Sequence, residues 1–316
     1  DRRFDHHGHT NQRVAQSRDG RIPHCPSTTQ RETGVNLRIA VPTKGRLADP
    51  SAELLRRAGI RFERSDRALS VTARSAPVEL LFVRSDDVAE LVADGVAALG
   101  ITGYDLLGES GFDLDSVMAL GYGRCTLTVA VPEDSSIEHS AELEDKRVAT
   151  SHPKTVTDYF NSLGVGIETV AMRGSVEVAT KLDVADGIAD LVSTGSTMLV
   201  NGLRPIASVL ESEAVLVSPS GVSLSDTAQT VITMVGAVVA ARSRRYVLMN
   251  APREIVPRIE EIIPGIEAPS VVPLAHNGMV AVHSVVEADR LWQVLPELRA
   301  AGASGILVLP VEQMIP

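Results

Sequence analysis

Apolar residues along this chain fall into short runs separated by polar stretches of helical period, and the alternation begins at Leu37. LRIAVP (37–42) reads as a strand, because a short continuous apolar run bounded by turn residues suits a strand covered on both faces. KGRL then reads as a loop. DPSAELLRRAGI reads as a helix, with Asp49 as N-cap, Pro50 at its first position and Gly59 ending it. The unit recurs with VELLFV as a strand, SDDVAELVADG as a capped helix, AALGITG as a strand entering a glycine turn, and TLTVAVP as a strand. Residues 147–203 repeat the theme: RVATS strand, KTVTDYFNSLG helix, IETVAM strand, SVEVATKLDVADG helix, and IADLVSTG as a strand running into a loop.

Alternating strands and helices predict parallel sheets covered by helices, hence an α/β protein. Two such lobes joined by crossing segments enclose a cleft, and ligands of open α/β sheets bind beyond the carboxyl ends of the strands. The first lobe is expected over 37–130, completed by about 208–240, and the second over 131–207. From Tyr246 the order changes to strand YVLMN, helix PREIVPRIEEII, strands SVVPLA and MVAVHSVV, helix ADRLWQVLPELRAAG and strand GILVLP. That βαββαβ order over 241–316 is the ferredoxin-like, ACT-like arrangement of small ligand-sensing modules. Residues 1–36 lack a hydrophobic period and read as a disordered tail, with His6, His7 and His9 solvated in it.

Composition sharpens this picture. The 316 residues are 44% apolar but only 3% aromatic, so the cores are built from Val, Ala, Leu and Ile. A formal charge of −10 argues against a general nucleic-acid surface, which needs clustered cations. Any anionic ligand is then met by a few local donors. Cys25 and Cys125 give neither metal spacing nor a disulfide framework. No apolar run approaches the roughly 20 residues that span a bilayer, and the N-terminus has no signal-peptide core, so a cytoplasmic protein is expected.

The richest chemistry lies in DGIADLVSTGSTMLVNGL (186–203). A strand carrying Asp190 ends in Ser193, Thr194, Gly195, Ser196 and Thr197. Gly195 lets the backbone turn so that successive N–H groups converge on an anion, and the hydroxyls add donors. An isolated STGST also suits a plain turn. Lys44, Gly45 and Arg46 follow the first strand, where a cation and a close backbone approach serve a phosphate as well as they serve a solvated basic turn. Arg84 precedes Asp86 and Asp87, which suit helix capping, so it is either a ligand contact or a partner of those carboxylates. Asp105, after a glycine turn, is either a nucleotide acceptor or a helix cap. Gly121, Gly123, Arg124 and Cys125 line a crossover between lobes, with Cys125 a buried thiol without a base. His152 sits before Pro153 as a loop histidine.

DLVSTGST followed by NGL resembles the loop that binds phosphoribosyl pyrophosphate in ATP phosphoribosyltransferases. RIAVPTKGRL, FVRSDDVAELVADGVAALGITGYDLL, PREI and APSVVPLA extend the resemblance across residues 37–316, so the chain is similar to the long form of that family. The resemblance implies a two-lobed, periplasmic-binding-protein-like catalytic region with a regulatory C-terminal module. It also implies that the phosphoribosyl group is transferred to N1 of the adenine of ATP, the first step of histidine biosynthesis. Mg²⁺ would ride on the substrate's pyrophosphate, with no dedicated protein ligands. Ser193 to Thr197 would hold the 5′-phosphate, Asp190 the ribose hydroxyls, Lys44, Gly45 and Arg46 the phosphates, and Arg84 with Asp105 the nucleotide. Histidine would bind as feedback inhibitor at Asn250, Ser270 and Leu274, and the chain would assemble into dimers and a homohexamer. One departure stands out: Asp183 occupies a place where the family pattern has glycine. The rival class is a two-lobed solute-binding protein, which would have no use for the STGST loop. A catalytically dead regulatory subunit would have lost that loop or the Lys44/Arg46 pair.

Overall fold

The computed structural model describes residues 37–63, 68–193, 198, 200–266 and 268–315, and these described residues fall in one compact unit. The expected tail falls outside the described residues. In chain order the elements begin with β1 (Leu37–Pro42), α1 (Ala48–Arg57), β2 (Ser70–Thr72), β3 (Val78–Val83), α2 (Val88–Ala93), β4 (Leu99–Gly103), α3 (Tyr104–Ser110) and β5 (Leu114–Ala119). They continue with β6 (Cys125–Pro132), β7 (Arg147–Thr150), α4 (Pro153–Ser162), β8 (Glu168–Ala171), β9 (Gly187–Val192), β10 (Leu203–Ser212), β11 (Ala214–Pro219) and α5 (Asp226–Arg242). The last stretch holds β12 (Arg244–Pro252), α6 (Val256–Ile262), β13 (Ser270–Pro273), β14 (Met279–Glu287), α7 (Leu291–Ala301) and β15 (Ser304–Pro310).

Three sheets organise these elements. The first has the order β2-β3-β1-β4-β11-β5, the second β10-β6-β9-β7-β8, and the third β13-β14-β12-β15. The chain passes from the first sheet to the second between β5 and β6, and returns between β10 and β11. Both α/β sheets are mixed, which corrects the expectation of purely parallel ones. β3, β1 and β4 run parallel, as do β9, β7 and β8, whereas the strands at the crossings, β5, β6, β10 and β11, pair antiparallel. A strand returning directly from the neighbouring sheet has no helix to turn it round, so it enters reversed. The third sheet is wholly antiparallel in the ferredoxin-like order.

The central strands are apolar on both faces because helices cover both. Ile39, Leu80, Leu99, Ile101 and Leu216 pack with Leu54 and Leu55 of α1 and Val235 of α5 in one core, while Ala40, Val88, Val92 and Val217 form a second on the other face. Each such Val, Leu or Ile side chain contributes about 1.5–3 kcal/mol by leaving water. Gly100 is glycine for packing: a Cβ there would lie 2.5 Å from Val88 and 2.8 Å from Val92, so α2 could not settle on β4. In the third domain Val247, Met249 and Ala251 alternate inward against Ile259, Ile262, Val294 and Leu298, leaving Leu248 and Asn250 on the opposite sheet face.

Two helix expectations change. α1 begins at Ala48 with Leu47 at the cap position, so Asp49 and Pro50 lie inside the first turn. The amide of Ala48 already bonds to the carbonyl of Gly45 at 3.2 Å, winding the chain into the helix early, and proline is tolerated where amides lack helical partners. The expected helix SVEVATKLDVADG is instead a 3₁₀ turn at Val176–Val178 followed by irregular turns. Ser175 (φ 51°) and Asp183 (φ 55°) are left-handed at its two ends, and β-branched Val176, Val178 and Thr180 add crowding. The stretches 104–119 and 203–242 carry α3, β5, β10, β11 and α5, elements that the apolar pattern does not single out.

Candidate functional site

The carboxyl ends of β1, β3 and β4 deliver the residues expected to bind the nucleotide. After β1, Lys44 and Gly45 are exposed, and Gly45 takes φ +80°, a conformation that favours glycine. Arg46 turns inward: its Nη2 lies 2.9 Å from Asp105 Oδ1 and its Nε donates to the carbonyl of Gly123 at 3.1 Å. Arg84, after β3, is 71% exposed and lies 3.6 Å from Asp86, the local pairing open to it from sequence. Asp86 and Asp87 form a 3₁₀ turn ahead of α2 but make no side-chain cap bond, which corrects the capping expectation; their charge still favours the helix start.

Asp105 is the hub of the region. Its side chain is wholly buried, with Arg46 and the hydroxyl of Ser212 donating to Oδ1 and His152 Nε2 lying 3.2 Å from Oδ2. Its own amide donates to Ser212 Oγ at 3.0 Å. Burial pushes its pKa up, but the bonds from His152 and Ser212 and the charges of Arg46 and His152 outweigh burial and hold it down at about 2. Gly103 makes room for this arrangement, since a Cβ there would lie 2.2 Å from Asp105 Oδ1. Asp105 therefore neither caps α3 nor faces open space; it ties the first lobe to Ser212 at the return crossing and to His152 of the second lobe.

At the end of β9, Asp190 is half-buried and accepts from the Leu191 amide at 2.8 Å. Burial raises its pKa, with the Leu191 bond opposing, and His152 also lies within its field. Ser193 is exposed and lines a cavity of about 600 Å³ together with Tyr104, Arg124, Cys125, Glu211 and Glu213. Its walls come from α3, both crossings and the end of β9, the region where ligands of two-lobed α/β proteins sit. One buried carboxylate oxygen of Glu213 has no hydrogen-bond partner among the described residues, and Arg124 Nε is 3.6 Å from it. Thr194, Gly195, Ser196 and Thr197 lie outside the described residues. Cys125 is buried with its thiol pushed up by burial, as expected of a thiol without a base.

In the third domain Asn250 and Ser270 lie on the same sheet face on either side of β14, and Leu274 follows β13 with its amide bonded to Met279. Tyr246 and His283 meet on that face through the phenol oxygen and Nδ1. Sequence reasoning gave His152 only a minor part and did not reach Ser212, Glu213 or Glu109. Asp105 and Glu109, four residues apart on one helix, were the available signal for the last.

These features define a two-lobed α/β protein with a ligand cleft at its crossings and a ferredoxin-like module at its C-terminus. Comparisons narrow the class. The family model "ATP phosphoribosyltransferase" matches residues 84–237, and the model "HisG, C-terminal domain" matches residues 241–313. An ATP phosphoribosyltransferase of Phocaeicola vulgatus is 40% identical over 281 residues, covering 88% of this chain and 99% of that protein. That of Haloarcula marismortui is 39% identical, with 88% and 100% covered. Among solved structures, a chain of the ATP phosphoribosyl transferase (HisG:HisZ) complex from Thermotoga maritima aligns with TM-score 0.56 and 26% identity over 65% of this chain and 98% of its own. The chain belongs to the ATP phosphoribosyltransferase family, in the long form that carries the C-terminal domain.

Proposed function

We propose that this chain transfers the phosphoribosyl group of phosphoribosyl pyrophosphate to N1 of the adenine of ATP, giving phosphoribosyl-ATP and pyrophosphate, the first step of histidine biosynthesis. The observation that carries this is end-to-end similarity to ATP phosphoribosyltransferases over both the catalytic region and the C-terminal domain. The solute-binding alternative rests on a shared two-lobed fold alone, and fold does not determine function.

In this reaction the adenine N1 lone pair forms the bond to ribose C1 while the C1–oxygen bond breaks and its electrons leave with pyrophosphate. The sugar passes through an oxocarbenium-like state, so the protein has to position two polyanions and match their charge; it needs no nucleophile of its own. Mg²⁺, bound to the pyrophosphate of the substrate, would neutralise leaving-group charge. Lys44 and Arg46 supply cations toward the phosphates, with Gly45 allowing close approach. Arg84 and Asp105 serve the nucleotide side, Asp105 by holding Arg46 in place. Asp190 serves the ribose hydroxyls, and Ser193 to Thr197 serve the 5′-phosphate. Histidine acts as feedback inhibitor on the C-terminal domain near Asn250, Ser270 and Leu274, and the chain works in the cytoplasm as dimers and a hexamer. Among the described residues no helix is long and apolar enough to cross a membrane.

The test mixes protein, ATP, phosphoribosyl pyrophosphate and Mg²⁺ and follows the ultraviolet absorbance of an N1-substituted adenine. Thr194→Ala with Thr197→Ala should raise the KM for phosphoribosyl pyrophosphate and leave the fold intact; an unchanged KM would remove the loop from the site. Histidine added to the same assay should lower the rate.

A further inference from the structure

α4 of the second lobe begins without a cap of its own. His152 at its cap position makes no side-chain cap bond, and Pro153 has no N–H, so the first free amides are those of Lys154 and Thr155. Both are taken by Glu109, a residue of α3 in the first lobe. Lys154 N donates to Oε1 at 2.9 Å, and Thr155 N and Oγ1 donate to Oε2 at 2.9 and 2.8 Å. The ammonium of Lys154 reaches back to the Gly108 carbonyl at 3.2 Å. One turn earlier on α3, Asp105 faces His152, the residue preceding α4. A carboxylate at a helix N-terminus gains from both the free amides and the helix dipole. Here carboxylate and helix come from different lobes, so that gain resists separation of the lobes.

The crossings join the lobes through the chain itself, and the α3–α4 contacts add ties between them that bear on the angle between the lobes. Arg46 is held by Asp105 on one side and by Gly123 of the β5–β6 crossing on the other, so its direction follows that angle.

We propose that Asp105 and Glu109 form a two-carboxylate clasp that fixes the lobes in their working arrangement, and that Glu109 is a positioning residue for phosphoribosyl transfer. The proposal rests on the reaction given above. Glu109 touches neither substrate in this reading; it acts by keeping donors of the two lobes at a common centre, where a displacement of about 1 Å costs about a hundredfold in rate.

The experiment compares the full-length wild type with Glu109→Ala, Glu109→Gln and Thr155→Val in steady-state assays and in small-angle X-ray scattering at saturating substrates. Glu109→Ala should lower kcat roughly fivefold to thirtyfold, the factor for losing a modest set of charge-assisted bonds. Both KM values should stay within about twofold, because no substrate contact is lost. Glu109→Gln should fall between, since its amide oxygen still accepts from one N–H, and the alanine variant should scatter as a more extended particle. Thr155→Val removes only the hydroxyl bond and should slow turnover roughly twofold to threefold, which keeps the test alive if the alanine variant does not fold. Wild-type turnover in both Glu109→Ala and Thr155→Val would overturn the clasp, as would slow variants whose scattering matches the wild type. A wild-type protein that makes no N1-substituted adenine would instead overturn the reaction itself, and the proposal with it.

Discussion

Replacing Asp105 by Asn keeps size and shape but removes the one charge that Arg46, Ser212 and His152 converge on. The displacement of its pKa from 3.8 to about 2 sets the scale. At about 1.4 kcal/mol per pH unit, the folded state favours the ionised carboxylate by about 2 kcal/mol over the unfolded chain. Removing one partner of a buried pair costs about 3–5 kcal/mol, and the Arg46 side chain, 31% exposed, rehydrates part of its stranded charge, so the lower end applies. Because the folded pKa is depressed, the stabilisation is fully present above the unfolded value near 4 and is lost as pH falls through 2. About 1 kcal/mol of it should be gone by pH 3. Urea unfolding of the wild type and Asp105→Asn, followed by circular dichroism at pH 7, 5, 4 and 3, should give a gap of about 2–3 kcal/mol that is constant down to pH 5 and then narrows. A gap below about 0.5 kcal/mol at pH 7, or one that does not change down to pH 3, would refute the view of Asp105 as an ionised hub.

Asp183 occupies the left-handed region at φ 55° with an exposed side chain, while its carbonyl accepts from Arg147 at 3.0 Å. Asp183→Gly should relieve about 1 kcal/mol of strain, partly offset by the greater freedom of glycine when unfolded, and raise the melting temperature by about 1–3 °C; calorimetry showing a fall would contradict the strain. Gly103→Ala should destabilise by about 1–3 kcal/mol, because the new methyl would meet the Asp105 carboxylate. Equal midpoints for wild type and variant in denaturant would show that this carboxylate has room to move.

Much of the fold was legible because its signal is local. Strands such as LRIAVP, VELLFV and TLTVAVP announced themselves by apolar runs, and α4 by the helical period of KTVTDYFNSLG. Strand direction was not legible. Whether β10 and β11 run with or against their neighbours depends on where the chain crosses between sheets, and local periodicity is the same either way. The VEV turn after Ser175 was misread for a related reason: its apolar spacing suits a helix, but left-handed Ser175 and Asp183 interrupt it. The left-handed backbone at Asp183 is one that suits the glycine of the family pattern. At the site, single residues were legible and their partners were not. Asp105 reads equally well as a cap or a ligand contact until His152, 47 positions away, and Ser212, 107 positions away, come into view.

The same long-range geometry links the C-terminal module to the cleft. α5 packs in the first-lobe core through Val231, Val235 and Val238 and passes into β12 with only Ser243 between. Its last residue, Arg242, donates to the carbonyl of Leu120 on the β5–β6 crossing and lies 5.5 Å from the Tyr122 ring. Burial holds the Tyr122 phenol up at about 12, so the ring meets the cation in neutral form, and its hydroxyl bonds to Ser51 of α1. One residue further on, Gly123 holds Arg46. A second tie runs from the chain end, where Gln313 bonds to the Arg57 carbonyl and Met314 to that of Ala237. Under the feedback inhibition proposed above, a movement of the module on binding histidine would bear on the crossing through Arg242. Arg242→Gln loses one charge-assisted bond and a cation–π contact, about 2 kcal/mol together, which is of the size of ordinary allosteric coupling. Histidine should still bind Arg242→Gln in calorimetry, while its inhibition weakens about fivefold or more. Inhibition as strong as in the wild type would show that the module reaches the cleft by another route, with the strap at Gln313 and Met314 next to be cut.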